Sequence, residues 1–530
     1  MRRARSVSGS GQNGAIRVPD SCGLRPRRLL AAQFFVFLSL PDCFVELAAV
    51  VSRHADMYGG GNVRSMFHPG RKCCRGDIDG AVCLILLLRH YLSCRSNPCC
   101  LRASRRPSFR FRNNIWRVPM KVLVVNAYGR SNRGDSVLLD ECVAEIRAWN
   151  PEAAISAAVF EGADNARLVH PDIAWSERIG NAPGGKVRTL CLLLASWLAT
   201  VPGLRRLEKL LPPEQQNTLN AMRECNVVVS APGGYIHDTN FAYIIALFHI
   251  ELAARLQKAV VLGPQSIGPL HGRFARWLAR RVLARVSYLC PRESYSANFL
   301  VRDLGIPERK IYRTGDSAFW NDRVEEESAV VTPELLRLGL AEGKPILGIT
   351  VVGWTFPRHA QPNAAYDSYV AAVAEIADRM SLEYGVLPVI FNQVSDDLPT
   401  ALLVKKRAKS RIVVDEKSHE PWILRALIRR STIFIGTRFH SCIFSMMAGR
   451  PTFAISYLPK TEYIMSDLQL GNRSTPIDDV DVNRVVEKLS DDLNDLARAE
   501  LEISSAVSAY QRNFSRLQDV MRSINPEYEE

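Results

Sequence analysis

Two Rossmann-like α/β domains facing a cleft are predicted by a pattern of short apolar runs and helical stretches that starts twice along the chain. Apolar runs of about four to seven residues, separated by helical lengths and closed by Gly, Pro or Asn turns, describe parallel strands covered on both faces. The pattern breaks near 325–343 and restarts at 346. A chain of 530 residues is long enough for two such domains and a further segment.

The first half reads as strands 122–125, 154–160, 226–230, 259–262 and 286–289, with a helix over 137–149. Its turns are 127–134, Pro232-Gly233-Gly234, Gly263-Pro264 and Pro291-Arg292. The second half reads as strands 346–352, 387–391, 411–414, 432–435 and 452–456, with a long helix over 366–384. Residues 480–522 continue as helix. The expected domains are 120–325 and 340–480, closed by C-terminal helices over 481–522. No internal repeat is present.

Residues 1–119 stand apart. They hold 20 of the 68 Lys and Arg and 6 of the 54 Asp and Glu, which accounts for the whole net charge of +14. Residues 120–530 hold 48 of each and are neutral overall, so the basic balance is no sign that the folded body binds nucleic acid. Eight of the 13 cysteines lie before residue 120; Cys73-Cys74 and Cys99-Cys100 lack zinc-site spacing. The other five are scattered, as suits buried thiols in a reducing cytosol. The apolar runs 29–40 and 81–88 are too short to span a bilayer. The first of them follows Arg27-Arg28, which leaves a signal peptide as one reading. The other is that 1–119 is disordered or outside the native protein, with Met120 as the true start, and is dispensable for folding.

In open parallel sheets the residues just after the strands line the ligand crevice, so the turns carry the candidates. Asn132-Arg133-Gly134-Asp135-Ser136 precedes a helix; Asp135 and Ser136 suit a cap, and a capped helix start also attracts anions. Gly233 and Gly234 let backbone come close to a ligand, and His237 follows in the same loop. Gln265 and Ser266 lie in the polar stretch 263–268, and turn chemistry alone also explains them. Arg292, beside Glu293 and Ser294, is either a solvated ion pair or a clamp for carboxylate or phosphate. The most informative block is Gly436-Thr437-Arg438-Phe439-His440-Ser441, between a strand and an apolar helix, where Arg438 and His440 meet the helix amides. Tyr457-Leu458-Pro459-Lys460 adds a further cation. No G-x-x-x-x-G-K-[ST], H-E-x-x-H or G-x-S-x-G pattern is present, and no metal site or cofactor is expected. The residues alone point to a two-domain enzyme for a small anionic substrate.

These motifs, in order and spacing from Met120 to about residue 470, resemble the polysaccharide pyruvyl transferase family, the colanic acid type in particular. Carrying the resemblance are 132–136 (NRGDS), Gly233-Gly234, 263–269 (GPQSIGP), Arg292-Glu293-Ser294, Gly315-Asp316, 436–441 (GTRFHS) and Tyr457 to Lys460. The resemblance implies a fold similar to the GT-B glycosyltransferases. It implies phosphoenolpyruvate as donor substrate, a lipid-linked or polymeric sugar as acceptor, and a pyruvate ketal as product with phosphate released. It also implies a cytoplasmic location at the inner face of the membrane. By motif, Arg292 and Arg438 hold the donor, Lys460 lies near its phosphate and His440 sits at the reacting carbon. His237 is a second catalytic candidate, as base on the acceptor. Leu458 departs from the acid that many relatives carry there, and residues 1–119 match nothing in the family.

Two other functions compete. One is a GT-B-like glycosyltransferase using a nucleotide sugar, with Glu462 as a ribose ligand; the other is a sugar-binding protein without catalysis. Peripheral membrane contact is the remaining expectation. The stretch 189–204 (TLCLLLASWLATVPGL), followed by Arg205-Arg206, reads either as a buried helix or as an interfacial one.

Overall fold

The computed structural model describes residues 120–128, 133–160, 167, 170–181, 185–239, 241–320, 329–340, 343–357 and 359–524. The readings for 1–119 lie outside these residues. The elements begin with β1 (Lys121–Ala127), α1 (Arg133–Trp149), β2 (Ala154–Val159) and β3 (Ala174–Glu177). There follow α2 (Gly185–Leu198), α3 (Pro213–Glu224), β4 (Val227–Ser230), β5 (Gly233–Ile236) and α4 (Ala242–Arg255). The first sheet closes with β6 (Ala259–Ile267), α5 (Arg273–Leu283), β7 (Tyr288–Pro291) and α6 (Ser294–Arg302).

All pairings in this sheet are parallel. Its order is β3-β2-β1-β4-β6, with β5 and β7 also pairing β6. Leu262 pairs with both Ser230 and Leu289, so β4 and β7 lie on opposite edges of β6. Gly233 pairs with Gln265 further along, and β5 thus continues the line of β4 beyond Pro232. Chain order reverses between β1 and β4, which is where such sheets open a crevice. Val124, Val229 and Val261 fill the core between sheet and helices. Burial of such side chains contributes roughly 1.5–3 kcal/mol each.

Two turn assignments change. Gly263-Pro264 does not end the strand. The chain bulges there, where a proline without an amide proton is tolerated, and pairing resumes at Gln265. Gly233-Gly234 belongs to β5 and is not a turn. The short strands β3 (AWSE) and, in the second half, β13 (Ser474–Pro476, STP) carry too few apolar residues to be legible in sequence.

Of the two readings for 189–204, the structure has the buried helix. Leu192, Leu193, Leu194, Trp197 and Leu198 are buried, and the chain turns at the exposed Pro202-Gly203. Of the apolar side chains of α2, Val187 is exposed, while those from Leu192 to Leu198 are packed inside the domain.

The second half starts with α7 (Val331–Leu338), which lies within the expected linker and packs against the second core. It continues through β8 (Ile346–Thr350), α8 (Pro362–Tyr384), β9 (Leu387–Ile390), α9 (Leu398–Arg407), β10 (Val413–Val414) and α10 (Pro421–Ile428). Then come β11 (Ile433–Gly436), α11 (Phe439–Met447), β12 (Thr452–Ser456), α12 (Pro459–Asp467) and β13 (Ser474–Pro476). Sheet order is β10-β9-β8-β11-β12-β13, again all parallel and again reversed beside the first strand. The chain ends in α13 (Val482–Asn494), α14 (Leu496–Asn513) and α15 (Leu517–Arg522). Here it crosses back: Leu517, Val520 and Met521 enter the core of the first sheet, and Ser515 bridges to Thr314.

Candidate active site

A cavity of about 200 Å³ opens where the carboxyl ends of the two sheets meet. The first domain supplies Tyr128, Gly234, Tyr235 and His237; the second supplies Gln393, Arg438, Phe439, His440, Tyr457 and Lys460. Each residue lies in, or a few positions beyond, the end of a strand.

Local backbone explains several placements. Asn126, at the end of β1, has φ 60°, and the pairing register shifts there. Its side chain donates to Ser230 Oγ (3.0 Å) and the Ala246 carbonyl (3.2 Å), which fixes a left-handed conformation that Asn tolerates. Tyr128 follows and reaches the cavity. Gly436 closes β11 so tightly that a Cβ would stand 2.3 Å from Cys442 Sγ, so α11 begins immediately beyond the strand. Arg438 is its N-cap residue, and Pro459-Lys460 opens α12 in the same way. Both helices turn positive dipole ends toward the cavity, although in α12 Pro459 has no amide proton and the Thr461 amide is bonded to the Leu458 carbonyl.

Arg438 lines the cavity, but its fork is occupied. Nε and Nη2 donate to the two oxygens of Asp397, both at 2.6 Å, which leaves Nη1 outside the pair. Asp397 also accepts from the Gly353 amide at 3.0 Å. Burial alone would lower the Arg438 pKa; Asp397 and Tyr457 outweigh it and hold the guanidinium charged. The expected paired donors to substrate are therefore directed at Asp397.

Arg292 lies under the floor and outside the cavity lining. It is 1% exposed. Nε donates to Ser266 Oγ and Nη1 to Asp316 Oδ2, each at 2.8 Å, and Glu293 stands 3.5 Å away. Nη2 is buried without a partner. A Cβ on Gly234 would come within 3.0 Å of that nitrogen and 3.7 Å of the Lys460 side chain, so the glycine keeps this approach open. Phe439 lies between the two cations, 5.1 Å from the Arg292 guanidinium and 5.5 Å from Lys460 Nζ. Burial pushes the Glu293 carboxyl up to about 7, against the pull of Arg292.

His440 is almost wholly buried, and its Nε2 has no partner. Burial lowers its pKa to about 3; Asp316 opposes this, while Lys460, Arg292 and Arg438 add to it. It is neutral at pH 7 in the ligand-free protein. His237 sits at the rim, with Nδ1 hydrogen-bonded to Thr239.

Of the sequence candidates, Gly234, His237, Arg438, His440 and Lys460 meet in one cavity. Gly233, Gln265 and Ser266 stand behind it. Gln265 donates to the Ala231 carbonyl, and Ser266 donates to Glu293 at 3.0 Å. The side chain of Asp135 is outside the described residues. Sequence reasoning assigned no role to Tyr128, Tyr235, Gln393, Asp397, Phe439 or Tyr457. All six follow strand ends or belong to β5, so the rule that selected the turns reaches them, but nothing in residue type singles them out.

The fold is that of the GT-B glycosyltransferases and epimerases. It is similar to a glycosyltransferase from Rickettsia africae (TM-score 0.51, 12% identity, 77% of this chain and 97% of that one). A 2-epimerase-type structure from Listeria monocytogenes, described as acting on UDP-N-acetylglucosamine, aligns with TM-score 0.51, 12% identity and 78% and 98% coverage. The chain belongs to the polysaccharide pyruvyl transferase family, whose model matches residues 99–459. The amylovoran biosynthesis protein AmsJ of Erwinia amylovora is 23% identical over 430 residues, covering 76% of this chain and all of that protein. The chain is thus a transferase of polysaccharide biosynthesis. The match reaches back to residue 99, which corrects the expectation that nothing before Met120 belongs to the family. Among the described residues, no helix is long and apolar enough to cross a membrane.

Proposed function

We propose that the protein transfers the pyruvate group of phosphoenolpyruvate onto two hydroxyls of a sugar in a surface polysaccharide at the cytoplasmic face of the membrane. One acceptor hydroxyl adds to the central carbon while the methylene carbon takes a proton. The second hydroxyl then displaces phosphate, which leaves a methyl-bearing ketal. The two steps take one proton up and release two, one of which leaves with phosphate.

The observation that carries this reading is a small cavity bounded by Lys460, Arg438 and two helix amino ends, above the unpartnered Arg292 Nη2. That is an environment for a compact multiply charged anion. A volume of about 200 Å³ falls below the roughly 300–1,000 Å³ of pockets for larger ligands, which disfavours a nucleotide sugar. In this reading Lys460, Arg438 Nη1 and the amides hold the donor, and Arg292 supplies charge from below. His440 protonates the methylene carbon once the bound dianion has raised its pKa, and His237 takes the acceptor proton.

The test compares donors by thermal shift and turnover. Phosphoenolpyruvate raises the melting temperature and UDP-sugars do not; in deuterated water the product carries one deuterium in its pyruvyl methyl group. Stabilisation by a nucleotide sugar alone, or an undeuterated product, removes this reading.

A further inference from the structure

Beyond the cavity, the carboxyl edge of the first sheet carries a second arrangement. The neighbouring strands β1, β2 and β3 are each followed at once by a large side chain: Tyr128, Phe160 and Arg178. The Phe160 amide donates to the Ala127 carbonyl at 3.0 Å and the Arg178 amide to the Val159 carbonyl at 2.9 Å, so sheet bonding fixes the row. Asn181 donates from its side chain to the Phe160 carbonyl at 3.2 Å. Adjacent strands lie about 4.8 Å apart, so the row runs roughly 10 Å along the edge. It starts at Tyr128, which lines the cavity. The Tyr128 ring stands 5.7 Å from that of Phe160, and the Arg178 guanidinium lies 3.8 Å over the Phe160 ring. All three side chains are partly exposed.

Arg178 is the unusual member. Its Nε is buried and has no hydrogen-bond partner. Among the described residues no carboxylate pairs with it, whereas the buried guanidinium groups of Arg292, Arg438 and Arg473 each have one. Burial lowers its pKa to about 10, with Tyr128 opposing, so it is charged at neutral pH. His249 beside it brings no charge: burial first, and Arg178 after it, lower its pKa to about 3. A half-shielded cation without a counter-charge is unfavourable until an anion reaches it. Stacking on Phe160 fixes the plane of the fork and leaves its in-plane donors to a ligand.

We propose that this row is an acceptor subsite for an acidic sugar, whose ring lies along Tyr128 and Phe160 and whose carboxylate is bound by Arg178, while the next sugar unit enters the cavity. The proposal rests on the reading of the acceptor as a saccharide and is independent of the donor. The two rings offer apolar faces to the C–H groups of a sugar, and the guanidinium offers paired donors to a carboxylate. The pyrophosphate of a lipid carrier would use the guanidinium but not the rings.

The test is calorimetric titration of the full chain with two tetrasaccharides. One alternates glucuronate with N-acetylglucosamine; the other is N-acetylglucosamine alone. The wild type binds the acidic one about tenfold more tightly, as one partly solvated charge-assisted contact allows. Arg178→Met removes that preference and keeps or raises the melting temperature, because an unpaired cation is gone. Phe160→Leu weakens both saccharides. Absence of wild-type binding, equal binding of the two, or a preference that survives Arg178→Met overturns the proposal, as does unchanged binding by Phe160→Leu. Binding of inorganic pyrophosphate that depends on Arg178, without a preference for the acidic sugar, overturns it in favour of a phosphate-bearing carrier. Should Arg178→Met melt early, Arg178→Lys decides, since it keeps the charge and loses the fork: its preference must fall. Phosphoenolpyruvate is titrated separately, so failure of the donor reading leaves this result standing.

Discussion

At the scale of residues, His440 concentrates the chemistry. Its pKa of about 3 lies below the roughly 6.5 of an unfolded histidine. Between those values only the unfolded chain binds the proton, so this group removes stability as pH falls from about 6.5 toward 3. Glu145 and Glu293, both raised to about 7, act in the opposite sense, because the folded state binds their protons first. The whole-protein pH curve therefore mixes the two effects, and a difference with His440→Gln isolates one of them. Relative to that variant, the wild type should lose about 2 kcal/mol between pH 7 and pH 5, at about 1.4 kcal/mol per unit below 6.5. Urea unfolding at both pH values measures it; a difference that does not change with pH would mean that His440 is solvated. The same logic predicts proton uptake when phosphoenolpyruvate binds, visible as buffer-dependent binding heats.

At the scale of elements, the floor of the cavity is braced from the far end of the chain. Tyr510, on α14, donates to the Arg292 carbonyl at 3.0 Å and accepts from the Asp316 amide at 2.9 Å. Asp316 in turn holds Arg292 Nη1. Tyr510→Phe keeps the ring packing on Phe319 and Phe514 but removes both hydrogen bonds. It should cost about 1–3 kcal/mol, since a buried amide and carbonyl are left unpaired. It should also weaken donor binding more than an equally destabilising change in α8, on the side of the second sheet away from this brace. Loss of stability with unchanged donor affinity would make the brace purely structural. The turn chemistry of these elements was readable: Gly436, Pro459 and the strand ends follow from residue type. Gly263-Pro264 was not, because a proline inside a strand and a proline that ends one differ only in whether pairing resumes beyond it.

At the scale of the whole molecule, the C-terminal crossover ties the two domains together. Leu517, Val520 and Met521 follow the second sheet in sequence but belong to the core of the first. Arg516 pairs with Glu141 at 3.1 Å, and the Gln518 amide donates to Glu145 at 2.8 Å, both on α1. Deleting 514–530 should remove about 5 kcal/mol or more of apolar burial from the first domain, although no residue of its sheet is touched. A large fall in melting temperature with early exposure of the first domain to protease is the expected result. Unchanged melting would show that α15 contributes nothing to that core.

By itself the sequence determined two parallel sheets, the order of the turns that line the crevice, and a concentration of cations and histidines at strand ends. These are local properties: apolar runs and turn residues act within a few positions of the chain. Only the tertiary structure decided what each side chain faces. Asp397, 41 residues before Arg438, takes its guanidinium fork. Asp316 and Ser266 draw Arg292 beneath the floor, and burial among three cations leaves His440 neutral. Partners distant in sequence set the direction and charge state of a buried polar group, because in a low dielectric its free energy depends on the groups it touches and not on its neighbours along the chain.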